Sequence, residues 1–190
     1  PMSVLLWCPV MMWLAWPPLG LGFTAMLAFV PLLLKANEKI KASRYFLLAY
    51  GSLFLVNVLT TWWVKNASLG GAIFMLFANT LLMSLPFMAY RYTLKLYPMG
   101  RSLMAFIFYW LAFEYFHFNW DISFPWLTLG NAMAMLPEAV QWYEFTGVLG
   151  GSLWILLVNI LLVLYLLSTR KKVHLIWFTA GLFVPLTWSI

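Results

Sequence analysis

Residues 146–168 read TGVLGGSLWILLVNILLVLYLLS, a run without one charged side chain. Few folds accept such a run. It is long enough to cross the hydrocarbon core of a bilayer as a helix. It is also one of seven. The others lie at about 2–16, 20–34, 45–64, 68–90, 102–120 and 173–190. Within each run the apolar residues are continuous and do not alternate, which indicates helices rather than the strands of a barrel. Composition agrees, with 65% hydrophobic residues and only 8% charged, where soluble domains carry about a quarter charged. The expected fold is an all-α polytopic membrane protein, one transmembrane helical domain over residues 1–190 with about seven transmembrane helices.

The first two runs are short. At 1.5 Å per residue they reach about 22 Å against a core of about 30 Å. Pro31 predicts a kink or break in the second, and the turn WPPLG at 16–20 joins the two. Pro1 rather than Met opens the sequence, so a preceding segment that lengthens the first run is expected.

Charge gives the chain an orientation. Lys35, Lys39, Lys41 and Arg44 lie between runs two and three, and Arg91, Lys95 and Arg101 between four and five. Arg170, Lys171 and Lys172 lie between six and seven. These three segments hold ten of the eleven basic residues and are separated by pairs of spans, so all share one side. The positive-inside rule makes that side cytoplasmic. The N-terminus is then cytoplasmic, residue 190 periplasmic, and the loop 121–145 periplasmic. The net charge of +6 is accounted for by orientation, and no nucleic acid partner is implied. The localisation expected is a bacterial inner (cytoplasmic) membrane, multi-pass.

Inside the runs, polar residues are few and therefore informative. Glu114 lies in the fifth span, about two turns from its outer end. A carboxylate at that depth costs several kcal/mol unless paired, protonated or hydrated, which makes it a candidate site residue. His117 follows three residues later on the same helical face, so a Glu–His pair or a polar clasp between helices is expected. Asn57, Asn79 and Asn159 are expected to bond between helices. Gly147 and Gly151 form a GxxxG pattern, expected to allow close helix packing. Cys8 is expected to be inert packing in the first span. The sequon Asn66-Ala67-Ser68 lies too near the membrane surface to count as a glycosylation site. His117 and His174 fall near opposite faces, so no metal is implied, and no cofactor.

The outer loop is ring-rich for its length. It carries Trp120, Phe124, Pro125, Trp126, Trp142 and Tyr143, with Asp121, Glu138 and Glu144 and the turn residues Gly130 and Asn131. Each ring alone fits an interfacial belt. Their density suits a surface that meets a lipid headgroup and its acyl chains.

From Trp110 to Asn159 the chain resembles the apolipoprotein N-acyltransferases. The residues that carry the resemblance are WLAFEYFHFNWDISFPWLTLGN and YEFTGVLGGSLWILLVN. They include Trp110, Glu114, Phe124-Pro125-Trp126, Leu129-Gly130, Thr146-Gly147-Val148, Gly150 and Ser152. FVPLLL at 29–34 and TTWWVKNAS at 60–68 are weaker echoes of the family's second span and its Trp-rich outer turn. The wording of 141–159 is most similar to versions from Bacteroidetes-type bacteria. Many family members have Arg where this chain has His117.

The resemblance implies a phospholipid acyl donor and a diacylated lipoprotein acceptor, with acyl transfer through a thioester to the lipoprotein's N-terminal cysteine. It places the catalytic Glu-Lys-Cys triad in a nitrilase-like periplasmic domain beyond Ile190. No catalytic residue is therefore expected in these 190 residues. Their expected task is to bind and orient membrane lipid and both substrates, with Glu114, His117, Trp120, Phe124, Pro125, Trp126, Asn131, Trp142, Tyr143 and Glu144 at the site. The alternative is a non-catalytic lipid-binding scaffold or a subunit of an envelope assembly. A small transporter fits less well, since Glu114 is the one acid within a span. The reading frame past Ile190 separates the enzyme from the scaffold.

Overall fold

The computed structural model describes residues 2–121 and 124–189. Among these the regular structure is entirely helical, and each of the seven apolar runs is a helix or a broken helix. In chain order the α-helices are α1 (Met2–Ala15), α2 (Ala25–Ala28), α3 (Val30–Ala36), α4 (Ala42–Thr61), α5 (Leu69–Thr93), α6 (Met99–Phe118), α7 (Tyr143–Leu167) and α8 (Lys171–Thr187). Three helical stretches are long and apolar enough to cross a membrane: Ala42–Asn66, Leu69–Thr93 and Tyr143–Leu167. Several helices run past the expected ends by two or three residues. Lys and Arg are good helix formers and reach back to water from inside the last turn, so a hydropathy boundary falls short of the helical one. Residue 190, the expected periplasmic end, lies outside the described residues, as do 122 and 123 of the loop.

Neighbours in sequence pack as neighbours in space: α4 with α5, α5 with α6, α6 with α7, and α7 with α8, with α1 against α4. An aromatic spine fills the middle. Phe29 meets Trp110 at 4.6 Å and Phe87 at 5.2 Å, Phe87 meets Phe106 at 5.0 Å, and Trp110 meets Phe113 at 5.5 Å. Phe106, Trp110, Phe113 and His117 recur at helical spacing along the inner face of α6, and Trp110 is fully buried. Cys8 is buried in the same core, as expected.

Pro9 and Pro185, inside α1 and α8, and Pro31, in the first turn of α3, each leave a carbonyl without its helical donor, because proline has no N–H. Each carbonyl is met by a side chain from another helix. Pro9 frees Leu5 O, which accepts from Ser52 Oγ at 3.0 Å. Pro31 frees Leu27 O, which accepts from Trp7 Nε1 at 2.8 Å. Pro185 frees Gly181 O, which accepts from Trp154 Nε1 at 2.8 Å. In hydrocarbon no water is available to do this, so the partners must be internal.

The break expected at Pro31 lies at Phe29, between α2 and α3. There Asn159 of α7 inserts its amide into the helical ladder. Its Oδ1 accepts from Phe29 N at 2.9 Å and its Nδ2 donates to Ala25 O at 3.0 Å. One side chain thus replaces the missing Phe29-to-Ala25 bond. Asn79 and Asn57 join α5 to α4 directly, Nδ2 of Asn79 donating to Oδ1 of Asn57 at 2.8 Å. Both findings agree with the interhelical role expected of these residues.

Two of the basic segments meet. Arg91 donates to Ala36 O at 2.6 Å and to Ile40 O, with its guanidinium 5.1 Å from the Tyr45 ring. The end of α5 and the link between α3 and α4 therefore lie at one end of the bundle.

The GxxxG expectation fails. Gly147 has φ +64° and ψ −174° and kinks α7 near its start. Gly151 faces the Tyr143 hydroxyl of its own helix, which a Cβ would meet at 1.6 Å. The kink folds the first turn of α7 back over the helix, so the glycine spacing serves an internal fold and not a helix pair.

Candidate functional site: a seated loop between two clefts

The segment 124–139 consists of three short 3-10 turns, Pro125–Leu127, Leu129–Met133 and Pro137–Ala139. It is not a surface loop throughout. Leu127, Thr128, Leu129, Ala132 and Met133 are buried. Buried irregular backbone needs partners for its N–H and C=O groups, and the neighbouring helices supply them. Glu114 Oε1 accepts from Leu129 N at 2.7 Å. Ser152 Oγ accepts from Gly130 N at 2.9 Å, and Tyr143 Oη donates to Gly130 O at 3.0 Å. Within the loop, Pro125 O accepts from Thr128 Oγ1 at 2.8 Å and from Asn131 Nδ2 at 3.1 Å. At Gly130 the loop lies directly on α7, where an added Cβ would sit 2.1 Å from Val148 O. Only glycine permits that approach.

Glu114 is 2% exposed. Its Oε1 takes a second bond, from Trp110 Nε1 at 2.8 Å. The expected pairing with His117 is not made. Trp110 stands four residues earlier on the same face and Leu129 arrives from the loop, so both reach Oε1 first. His117 is also buried, and its Nδ1 accepts from Trp120 Nε1 at 3.3 Å.

Two clefts flank the seated loop. One measures about 350 Å³ and lies between α5 and the C-terminal end of α6, with His117, Trp120, Asp121 and Phe124 on one wall and Phe74, Met75 and Asn79 on the other. The second measures about 570 Å³ and is bounded by the Trp16-Pro17-Pro18 turn, Thr60–Trp63 and the loop residues Trp126, Leu127 and Asn131. On the wall of the second cleft Trp126 stands edge-on to Trp63, ring centres 5.7 Å apart. Both clefts are mostly apolar with a minority of polar lining, the character of a small-molecule site.

The structure thus brings together Glu114, His117, Trp120, Phe124, Pro125, Trp126, Asn131 and Tyr143. It separates two expected residues from them. Trp142 packs on Trp154 and lines a groove between α7 and α8. Glu144 is exposed in the first turn of α7, with no salt bridge. Sequence reasoning gave no site role to Trp63, Asn79 or the Trp16–Pro18 turn. The doubled aromatics at 62–63 and doubled prolines at 17–18 were the available signals. Ser68 has a plain structural use, accepting from Gly71 N at 3.1 Å as the cap of α5.

The family model for the apolipoprotein N-acyltransferase N-terminal domain matches residues 9–161. The chain belongs to that family. An apolipoprotein N-acyltransferase of Chlorobaculum tepidum (strain ATCC 49652 / DSM 12025 / NBRC 103806 / TLS) is 33% identical over 156 residues. The match covers 82% of this chain and 29% of that protein, so the chain spans less than a third of the relative's length. No solved structure matches. The residues of the family resemblance now have physical roles: Trp110 and Glu114 hold Leu129, Ser152 holds Gly130, and Val148 is the surface on which Gly130 rests. The family match ends before α8, a helix in which no residue is fully buried.

Proposed function

We propose that this chain is the membrane-embedded part of a phospholipid-dependent apolipoprotein N-acyltransferase. It binds and orients a phospholipid acyl donor and a diacylated lipoprotein acceptor for N-acylation of the lipoprotein's N-terminal cysteine. The observation that carries the proposal is the pair of mostly apolar clefts that share one loop, Phe124 lining the first and Trp126 the second, with that loop fixed at Glu114. Two acyl-bearing substrates need two apolar places near one another. Phe124 and Trp126, two residues apart, each line a different cleft. The acyl-transfer chemistry, through a thioester that divides one hard step into two, is assigned to residues outside this chain.

In this proposal all seven helical segments cross a bacterial inner membrane. The segments 35–44, 91–101 and 169–172 are cytoplasmic, and the loop 121–145 faces the periplasm beneath the catalytic groups. The meeting of Arg91 with Ala36 and Ile40 supports a shared side for the first two basic segments. Labelling of a cysteine at position 40 by an impermeant reagent from the periplasmic side would reject this orientation.

The functional test uses the complete enzyme. Phe124→Ala and Trp126→Ala each remove a ring from one cleft, which costs about 1.5–3 kcal/mol of contact and raises the substrate concentration for half-maximal rate by about tenfold or more. Phe124→Ala and Trp126→Ala should weaken different substrates, one acting on acyl-enzyme formation and the other on transfer to lipopeptide. Unchanged concentration dependence for both steps in both variants would refute a substrate role for the clefts.

A further inference from the structure

Two buried polar atoms at the seat have no hydrogen-bond partner among the described residues: Oε2 of Glu114 and Nε2 of His117. Both side chains line a single small chamber of about 10 Å³, which they share with Asn79, Thr128 and apolar neighbours. That is about the room one water needs.

The hydrogen-bond directions define what such a water would do. Trp120 Nε1 can only donate, so His117 Nδ1 must accept, and the ring proton of the neutral imidazole resides on Nε2. Nε2–H therefore points a donor at the chamber. Glu114 Oε1 is already taken by two donors, Trp110 Nε1 and Leu129 N. Oε2 is left as the acceptor. The two atoms have opposite needs and do not meet directly. A water between them accepts from Nε2–H and donates to Oε2. Its second proton has acceptors available in the chamber wall, Thr128 Oγ1 or Asn79 Oδ1, because the Thr128 hydroxyl proton is already directed at Pro125 O and the Asn79 amide at Asn57. Three or four polar partners are what a buried water ordinarily has.

We propose that the chamber is a buried water site, and that its water bridges His117 to Glu114 and so to the amide of Leu129. His117 is then a positioning residue. It touches neither the loop backbone nor the carboxylate, yet it holds the carboxyl in the plane that receives Leu129. His117, Asn79 and Phe124 also line the 350 Å³ cleft, so the bridge ties the wall of that cleft to the seat of the loop. The water belongs to the seat whatever fills the cleft.

The test combines an experimental structure of the protein with infrared spectroscopy in nanodiscs. The structure should contain an ordered water about 3 Å from both Nε2 and Oε2. The infrared band of the Glu114 carboxyl group, identified as the one lost in Glu114→Gln, should shift in His117→Phe, which keeps the ring and removes the donor. In His117→Gln, whose amide N–H restores a donor, the band should return towards its wild-type position. A structure with His117 and Glu114 in direct contact, or with no ordered water between them, would overturn the proposal. So would an unshifted carboxyl band in His117→Phe. The wild-type structure decides the matter even where His117→Phe does not fold.

Discussion

Buried irregular backbone at residues 25–31 and at 124–133 is held in two different ways. At residues 25–31 the break before Pro31 is closed by one neutral amide, that of Asn159, which meets one N–H and one C=O and also donates to Ile155 O. Every polar atom of that side chain is used. At residues 124–133 the partners are a carboxyl group, a hydroxyl and a phenol, from Glu114, Ser152 and Tyr143. Here polar capacity is left over, in Glu114 Oε2 and His117 Nε2. Both regions solve the same problem, the cost of unpaired backbone away from water. The first solution is complete, and although a cleft of about 480 Å³ lined by Met26, Leu27 and Val158 runs alongside, Asn159 does not line it. The second uses a more costly group, leaves two atoms for the bridging water to take up, and stands beside two clefts. The first break is closed by one amide of the protein itself, and the second seat carries in its loop Phe124 and Trp126, which line the two clefts.

The comparison breaks most visibly at Asn159. Asn159→Leu leaves Phe29 N–H and Ala25 C=O unpaired and should cost about 2–4 kcal/mol of stability, read by denaturation in detergent. Lipid binding per folded molecule should stay unchanged. Gly130→Ala should come next, at about 1–3 kcal/mol, because its Cβ meets Val148 O at 2.1 Å and must lift the loop. This variant should lose lipid binding along with stability, which separates the two regions in one measurement. Glu114→Ala unpairs Leu129 N and Trp110 Nε1, with a cost of about 1–3 kcal/mol, whereas Glu114→Gln keeps an acceptor for both and should cost less than half as much. Acyl transfer at matched membrane abundance should follow the same order. Equal and severe loss in both variants would mean that the charge, and not the bonding to Leu129, matters. The smallest effect is expected at Trp154→Phe, which frees Gly181 O and should loosen α8 by about 0.5–1.5 kcal/mol, seen as faster hydrogen exchange in 171–187 with the loop unaffected.

Much of the first region was legible in the sequence, and less of the second. Pro31 announces a break because proline lacks an N–H wherever it stands, and Asn159 announces a partner because an amide in an apolar run must bond to something. Both are local statements. Glu114 announces a site for the same reason, but its partner does not follow from spacing. His117 is three residues away and Leu129 is fifteen, and only the path of the loop brings the Leu129 amide to the carboxyl. Gly147 and Gly151 mislead in the same way. Their spacing fits a helix pair, while the positive φ of Gly147 and the ring of Tyr143 are tertiary facts. Trp142 and Glu144 belong to the ring-rich loop in sequence, but the kink in α7 turns them away from the clefts.

The most direct test of the account maps where a lipid touches the protein. A phospholipid with a photoactivatable group in one acyl chain is incorporated into nanodiscs with the complete enzyme, illuminated, and the adducts are located by mass spectrometry. The account predicts adducts at residues of the two clefts, such as Phe74, Phe124, Trp63 and Trp126, above the level on the exposed face of α8 at Ile176 and Trp177. It predicts that Gly130→Ala removes the cleft adducts and that Asn159→Leu, in the molecules that remain folded, keeps them. Adducts spread evenly over α8 and the cleft residues, unchanged by Gly130→Ala, would contradict it.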